Sequence, residues 1–458
     1  MSDSPPAPAA ALTNALPSRE VAWQIVLLFS LAYLFSVLDR LILNLLAPEI
    51  KRDLALTDLQ LSYLQGLFFV VLYVGFSPVF GWMADRWQRN RVAALGVGLW
   101  SMATASAALT QDYRGLALSR MGVGLGEAAL GPAATSIISD IFPPEQRARA
   151  LSVYSVGPTI GSVLALLIGP MLIPDTTVQV PLLGLMKPWQ LTFLMVGLPG
   201  LLVAAAMLRI REPVRRGLSS AVAHEKPTVR GTARFLAQRS RTFVGVILGS
   251  ILVVTIAYGI SFNVPLFMAR AYGWPRNQTG LWIGLLNLVT LVPAGLASGL
   301  LASRLRATGR YHATYLVMTV GAFGLVIPSS CAWLMPNATL CLLMLALSNI
   351  SVALVTTLIP AMIADVTPNQ YRGQVTSWYL LAAQVLGAAI GPIFIAAMTQ
   401  HFFKDESMLK YSLAVFGAVV APIAAGVFIF GYSAVCAVAR EATTWQGLSA
   451  TPDPAQGK

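Results

Sequence analysis

Four ionisable side chains lie inside apolar stretches that are long enough to cross a lipid bilayer. Asp39 and Arg40 share one stretch, and Arg120 and Glu127 share another. An ionisable group at the bilayer centre costs roughly 2.5–3.5 kcal/mol on insertion scales, so it usually faces a partner or a water-filled cavity. An arginine can bind a phosphate or carboxylate bidentately, whereas a carboxyl group can exchange a proton. These residues therefore predict proton exchange coupled to the binding of an anionic group.

Helical spacing brings the four residues together. Arg120 and Glu127 are seven residues apart, which places them on one helix face and roughly 10 Å apart along its axis. Counting the helical rise from the predicted outer ends puts Asp39 and Arg120 at similar depth, and Glu127 near mid-membrane within reach of Arg40. We expect one buried network with Asp39 and Glu127 as proton carriers and Arg40 and Arg120 as headgroup or coupling residues. The alternative is a static network that only fixes helix packing.

The composition identifies the elements that carry these residues. The chain has 458 residues, of which 56% are hydrophobic and 11% charged, and soluble domains are about 25% charged. The mean hydropathy is +0.69. A β-barrel would show short alternating segments instead of long apolar runs. We therefore predict an all-α polytopic membrane protein, and we attribute the net charge of +12 to basic cytoplasmic loops and not to nucleic-acid binding.

Twelve apolar runs predict twelve transmembrane helices in two six-helix, pseudo-symmetric bundles. The runs cover 21–47, 60–83, 92–110, 114–139, 147–173, 190–209, 242–270, 279–302, 313–335, 338–364, 373–399 and 409–438. Each can span the roughly 30 Å of a bilayer core. The predicted domains are a disordered tail at 1–20, bundles at 21–209 and 242–440, a linker at 210–241 with a possible interfacial helix, and a second tail at 441–458.

The loop charges set the predicted orientation. Basic residues follow the even-numbered spans, and the linker between the bundles carries most of the basic loop charge. The positive-inside rule then places these loops and both termini in the cytoplasm, in a multi-pass protein of the cell (plasma or inner) membrane.

The two halves repeat one another. Gly81-Trp-Met-Ala-Asp-Arg86 aligns with Gly299-Leu-Leu-Ala-Ser-Arg304, and the segment from Asp140 to Arg147 aligns with that from Asp365 to Arg372. Two six-span halves of equal orientation imply a parallel repeat about an axis normal to the membrane. Such an architecture places a substrate site between the halves, near mid-membrane.

The loop after the second span resembles the signature loop of the major facilitator superfamily. We expect a tight turn at Gly81 and an acid, Asp85, that caps a helix or pairs with an arginine. Ser303 replaces this acid in the second half, which predicts a weaker contact for closing the cytoplasmic side there. The predicted cytoplasmic gate comprises Gly81, Asp85, Arg86, Arg89, Asp140, Arg147, Asp365 and Arg372.

Further motifs narrow the resemblance. Arg120-x-x-x-Gly124-x-Gly126 is similar to a superfamily motif whose arginine is associated with proton coupling. Leu38-Asp39-Arg40, together with the Gly-x-Gly-Glu127-Ala segment and Asp140, resembles the Spinster family. That resemblance implies export of sphingosine-1-phosphate or lysophospholipids. The Asp-Arg pair also occurs in organic-anion symporters.

The predicted substrate is an amphipathic anionic or zwitterionic lipid moved by alternating access and coupled to protons. The second half has few charged residues inside its spans, so we expect it to contact the acyl chain. The predicted tail contacts are Phe68, Phe69, Tyr73, Trp378 and Tyr379. We expect a monomer with no cofactor other than the coupling proton, no metal site and no nucleic-acid partner.

Other classes of protein remain as alternatives. The first is a proton-driven multidrug or small organic-anion carrier. A lipid-modifying membrane enzyme would need a nucleophile and base or a metal cluster, and neither pattern is visible. A channel would be expected to show a continuous polar stripe, whereas the charges are concentrated in the first half. We therefore do not predict an enzyme.

Overall fold

A computed structural model describes residues 17–167, 169–174, 176–181, 183–213 and 229–445. The chain divides into two compact units. The first comprises the described residues of Met1–Leu56 and Phe68–Ala223, and the second comprises Thr57–Leu67 and those of His224–Lys458. The helix that contains the second predicted span is thus shared: its first residues belong to the second unit and the remainder to the first.

The first unit consists of helices and one short hairpin. Its elements are α1 (Arg19–Leu45), α2 (Ala47–Asp53), α4 (Phe68–Arg86), α5 (Arg89–Ala107), α6 (Tyr113–Glu127), α7 (Leu130–Ile141), α8 (Pro144–Leu167), α9 (Gly169–Leu172), β1 (Val178–Val180), β2 (Gly184–Met186) and α10 (Pro188–Leu208). The strands are antiparallel, with Gln179 opposite Leu185. Helix α1 packs on α8, α10 packs on α5, and α6 packs on both α4 and α5. The charged pairs on α1 and α6 therefore lie within one packed unit.

The second unit begins with α3 (Asp58–Ser62), which continues through a π-helical turn at Tyr63–Leu67 into α4 of the first unit. Its other elements are α11 (Val229–Gln238), α12 (Ser240–Phe243), α13 (Gly249–Tyr272), α14 (Arg276–Ala307), α15 (Ala313–Cys331), α16 (Ala338–Thr356), α17 (Ile359–Val366), α18 (Asn369–Ala382), α19 (Gly391–Ala397) and α20 (Leu409–Trp445). π-Helical segments at Val244–Leu248, Ala383–Ile390 and Met398–Phe403, and short 3₁₀ turns at Ala332–Leu334 and Glu406–Met408, connect some of them. Helix α15 packs on α16 and α20, and α13 packs on α20.

Ten helical segments in the described ranges are long and apolar enough to cross a membrane. Helices α5 and α8, of 19 and 24 residues, occupy the places of the predicted third and fifth spans. The order and class of the elements confirm the predicted all-α, multi-span fold.

Local sequence explains where the helices of the charged pairs begin and end. The Asp112 side chain accepts a hydrogen bond from the Gly115 N–H and caps α6. Helix α6 ends at Glu127, and α7 begins three residues later with Pro132 in its first turn. A proline has no N–H to donate to the carbonyl four residues earlier, here that of Ala128, which accounts for the interruption. Glu127 therefore lies beside a break in its span.

The tight turn predicted at Gly81 is wrong. Helix α4 continues through Gly81 to Arg86, because Met83, Ala84 and Arg86 are strong helix formers. A Cβ at Gly81 would meet no atom within 4 Å, so close packing does not require glycine there either.

Candidate functional site

The first buried pair joins Arg120 on α6 to Asp39 on α1. Arg120 Nη1 donates to Asp39 Oδ2 at 3.2 Å, and Nη2 donates to Oδ1 at 3.5 Å. Both side chains are 3% exposed. The Arg120 guanidinium also lies over the Phe193 ring, 5.2 Å from its centroid. The predicted pairing is thus confirmed, and its two hydrogen bonds offset part of the cost of burying two charges.

The second pair joins Arg40 to Glu127. Arg40 Nη2 lies 3.3 Å from Glu127 Oε2 and donates a hydrogen bond of 3.2 Å to Ser36 Oγ. The Glu127 side chain is 4% exposed, whereas Arg40 is 24% exposed. The Arg40 guanidinium stacks over the Phe69 ring at 5.1 Å. Arg40 is therefore the one member of the four that both contacts a buried acid and retains an accessible surface.

Some buried polar atoms of the network have no hydrogen-bond partner among the described residues. Arg120 Nε and Glu127 Oε1 are among them. Burying an unsatisfied polar group costs free energy, so such atoms often mark places where a ligand or proton is exchanged. Glu127 Oε2 thus faces Arg40, whereas Oε1 has no donor among the described residues.

Close helix packing positions the network. A Cβ at Gly124 would overlap the carbonyl oxygen of Phe69 on α4, and a Cβ at Gly126 would lie 2.5 Å from the Gly96 carbonyl oxygen on α5. Glycine allows these backbones to approach where any larger residue would push them apart. Because Phe69 contacts Arg40, the Gly124 contact also fixes one wall of the charged site.

The predicted tail-contact residues do not all lie together. Phe69 stacks on Tyr73, with ring centroids 5.5 Å apart, directly beside Arg40. Phe68 instead contacts the Tyr113 ring at the start of α6, 6.0 Å away. Trp378 and Tyr379 belong to α18 of the second unit, where Trp378 is half-buried and Tyr379 buried. Of the aromatic set, Phe69 and Tyr73 are those adjacent to the charged network.

A second cluster in the first unit surrounds Arg89. Its guanidinium forms a short ion pair with Asp140 and donates to Glu212 Oε1 at 2.7 Å and to Ser136 Oγ at 2.8 Å. Arg89 also donates to the Pro213 carbonyl at 2.9 Å and is 1% exposed. Arg89 and Asp140 are two of the predicted gate residues. Glu212 was not predicted, because it lies 123 residues from Arg89 and has no recognisable spacing from it.

The other predicted gate residues have separate environments. Arg86 is exposed and stacks over Trp82 at 4.6 Å. In the second unit, Asp365 pairs with Arg306 and accepts a hydrogen bond from Thr314, so an ion pair occurs in both units. Arg372 donates to the Ala364 carbonyl at 2.9 Å. The side chains of Asp85 and Arg147 lie outside the described part of the structure.

The structure contains a third charged cluster that the sequence analysis missed. Arg270 donates to both carboxylate oxygens of Asp58, at 2.8 and 2.9 Å, and to Glu406 Oε2 at 2.7 Å. Asp58 is 6% exposed. The three residues lie at the ends of different helices of the second unit, and only their fold brings them together. This bidentate pair fastens residues 57–67 to α13.

Replacement of Arg89 is expected to destabilise the protein strongly. Arg89→Gln would remove the buried guanidinium that pairs with both Asp140 and Glu212, and breaking a buried pair costs about 3–5 kcal/mol. The matched control, Arg86→Gln, removes an exposed charge and is expected to change stability by about 0.5 kcal/mol or less. Thermal unfolding of the purified variants in detergent measures both. Equal melting temperatures for the two variants would contradict the assigned role of Arg89.

Comparison with known proteins identifies the family. The model of the Major Facilitator Superfamily matches residues 29–392. The chain therefore belongs to this superfamily of membrane transporters, as its helical order and charged clusters predict. Among the described residues, no group of His, Cys, Asp and Glu side chains is arranged to hold a metal ion.

Individual relatives differ in what they transport. An efflux pump of Mycolicibacterium smegmatis is 28% identical, over 84% of this chain and 86% of its own length. Protein spinster of Drosophila melanogaster is 23% identical over 83% of this chain and 62% of its own length. A galacturonate transporter of Dickeya chrysanthemi is 26% identical over 58% of this chain and 76% of its own length. The Spinster similarity predicted from the sequence is thus present, alongside two other kinds of transporter.

Solved structures support the fold. A bacterial homologue of the human lysosomal transporter Spinster, in an inward-facing and unoccupied conformation, superimposes with a TM-score of 0.77. The alignment has 22% identity and covers 94% of this chain and 99% of the other. A D-xylose–proton symporter gives a TM-score of 0.63 at 14% identity, covering 87% of this chain and 96% of the other. This chain therefore shares its fold with both of these transporters.

Proposed function

We propose that this superfamily member is a secondary active transporter of an amphipathic anionic or zwitterionic lipid, with lysophospholipids and sphingosine-1-phosphate as the substrate class. Transport proceeds by alternating access and is coupled to protons, with both termini on the cytoplasmic side of the cell membrane. The observation that carries this proposal is the Arg40–Glu127 pair: a partly exposed guanidinium 3.3 Å from a buried carboxylate and stacked on an aromatic ring.

The chemistry of this pair suits competition between a proton and a phosphate. An arginine released from its carboxylate can bind a phosphate bidentately. Protonation of Glu127 removes the competing negative charge, so a proton and an anionic headgroup favour the same rearrangement. Asp39 and Arg120 are likewise one carboxylate and one guanidinium. In the proposal, this pair takes part in the second step of proton transfer.

The aromatic pair beside Arg40 favours an amphipathic substrate. Phe69 is 5% exposed and stacks on the half-buried Tyr73 ring. An aromatic wall thus lies next to the guanidinium, which suits a headgroup joined to a hydrocarbon chain. Trp378 and Tyr379 in the second unit stay predicted tail contacts.

A small organic anion is the second candidate substrate, and a drug is the third. The similarity to the galacturonate transporter of Dickeya chrysanthemi favours a carboxylate substrate. The arginines are compatible with this substrate, because a guanidinium binds both carboxylate and phosphate groups. In the second unit, Asn349 donates to Asn287 Oδ1 at 2.8 Å and lies 3.3 Å from Thr290 Oγ1. This polar cluster suits the hydroxyl groups of a sugar acid. The drug candidate rests on the similarity to an efflux pump.

Tracer uptake into proteoliposomes distinguishes the candidates. Labelled lysophosphatidylethanolamine, sphingosine-1-phosphate, galacturonate and ethidium are each offered to vesicles with the protein and to matched empty vesicles. The proposal predicts protein-dependent movement of at least one of the two lipids and none of ethidium. Movement of galacturonate without either lipid would assign the protein to the organic-anion carriers. Movement of ethidium alone would assign it to the drug pumps.

A further inference from the structure

The helix α11 presents two faces with different chemistry. Thr232 and Phe235 are buried and face α18, where Phe235 stacks on Tyr371 with ring centroids 4.7 Å apart and planes inclined by 10°. Thr232 Oγ1 lies 2.5 Å from Gln374 Oε1. One face of α11 is therefore fixed to the bundle and is not available to a partner.

The opposite face of α11 is basic and exposed. Arg230 and Arg234 are four residues apart, and both are exposed, so they project from the same side of the helix. Within the described ranges, neither arginine has an acidic partner. No acidic residue occurs between 229 and 248. This face therefore carries positive charge that no side chain of the described chain neutralises.

A third arginine marks the level of the membrane surface. Arg241 lies in the first turn of the span Ser240–Tyr272, shortly after α11 ends at Gln238. Its guanidinium is 5.0 Å from the centroid of Phe430, a ring that is 49% exposed on the span Glu406–Arg440. An exposed arginine whose guanidinium lies over an exposed ring at a span end is typical of the lipid headgroup region.

We propose that Arg230, Arg234 and Arg241 form a binding surface, here called the α11 strip, for anionic phospholipid of the cytoplasmic leaflet. This leaflet carries negative charge, and basic residues at the membrane surface are attracted to it within a Debye length. The lipid bound at the α11 strip is not the transported substrate, and this proposal does not depend on the proposed transport function.

The binding test uses the full-length purified protein in detergent. Short-chain phosphatidylglycerol, phosphatidylcholine of the same chain length, and glycerol phosphate without acyl chains are titrated separately by calorimetry. The proposal predicts that phosphatidylglycerol binds more tightly than the other two and that added salt weakens its binding. Equal binding of glycerol phosphate would indicate a soluble phosphate site and overturn the proposal, as would equal binding of phosphatidylcholine.

Matched variants separate this surface from general charge effects. Arg230→Gln/Arg234→Gln is expected to weaken phosphatidylglycerol binding roughly fivefold for each arginine removed, whereas Arg230→Lys/Arg234→Lys retains most of it. Arg52→Gln/Lys410→Gln removes the same net charge from the other predicted membrane face and should leave the affinity unchanged. Equal weakening in the two glutamine double variants would overturn the proposal. Size-exclusion elution establishes that each variant remains folded, and a failure of lipid transport would leave these results unaffected.

Discussion

Glu127→Gln is expected to abolish the response of transport to an imposed pH gradient. The substitution retains the side-chain volume and an oxygen that can accept from Arg40, which lies 3.3 Å from Glu127 Oε2. It removes the group that exchanges a proton at that position. We expect gradient-driven accumulation of the lipid substrate to fall at least about tenfold, equivalent to about 1.4 kcal/mol. Tracer uptake into proteoliposomes with and without the gradient measures this change.

The control is Glu20→Gln, the same chemical change at an exposed position of α1. It should leave both the rate and the response to the gradient unchanged. Exchange of substrate across the membrane without a gradient should persist in Glu127→Gln, because the binding arginines remain. A Glu127→Gln protein that still accumulates lipid in response to the gradient would remove Glu127 from the coupling step.

Asp39→Asn is expected to destabilise the protein and stop transport. It leaves Arg120 with a full charge, 2% exposed, and only a neutral amide as its partner. Removing one member of a buried ion pair costs about 3–5 kcal/mol. Thermal unfolding in detergent and tracer uptake measure the two effects on the same preparation.

The double variant Asp39→Asn/Arg120→Gln separates a functional pair from a structural one. Two neutral amides can hydrogen-bond to each other, so much of the lost stability should return. Transport should not return, because neither a proton carrier nor an anion-binding group remains at this position. A double variant that regains both stability and transport would show that the pair only fixes the packing of α1 against α6.

The four-residue network could be predicted from the sequence because helices have a fixed rise. The depth of Asp39 and Arg120 follows from counting residues along two spans, and α1 and α6 then place them 3.2 Å apart. The stacking of Arg120 on Phe193 was not predicted. Phe193 is on α10, and no sequence pattern specifies which face of that largely apolar helix meets Arg120.

The ion pairs at helix ends were harder to predict. Arg270, Asp58 and Glu406 are separated by more than a hundred residues, and each resembles an ordinary charged residue at a span boundary. At Gly81 a feature was predicted that the structure lacks. The signature motif suggested a turn, but strong helix formers continue the helix through this residue. The signature motif and its repeat indicated where charged residues would cluster in each half. Which residues pair there depends on packing between helices that are distant in the sequence.

Proton movement during transport is the most direct test of the account. Proteoliposomes containing a trapped pH-sensitive dye are given lysophosphatidylethanolamine or sphingosine-1-phosphate with no gradient imposed, while tracer uptake is followed in parallel. We expect a change of internal pH to accompany lipid movement in the unmodified protein and to be absent in Glu127→Gln. Lipid movement at full rate with no change of internal pH would contradict proton coupling through the Arg40–Glu127 pair.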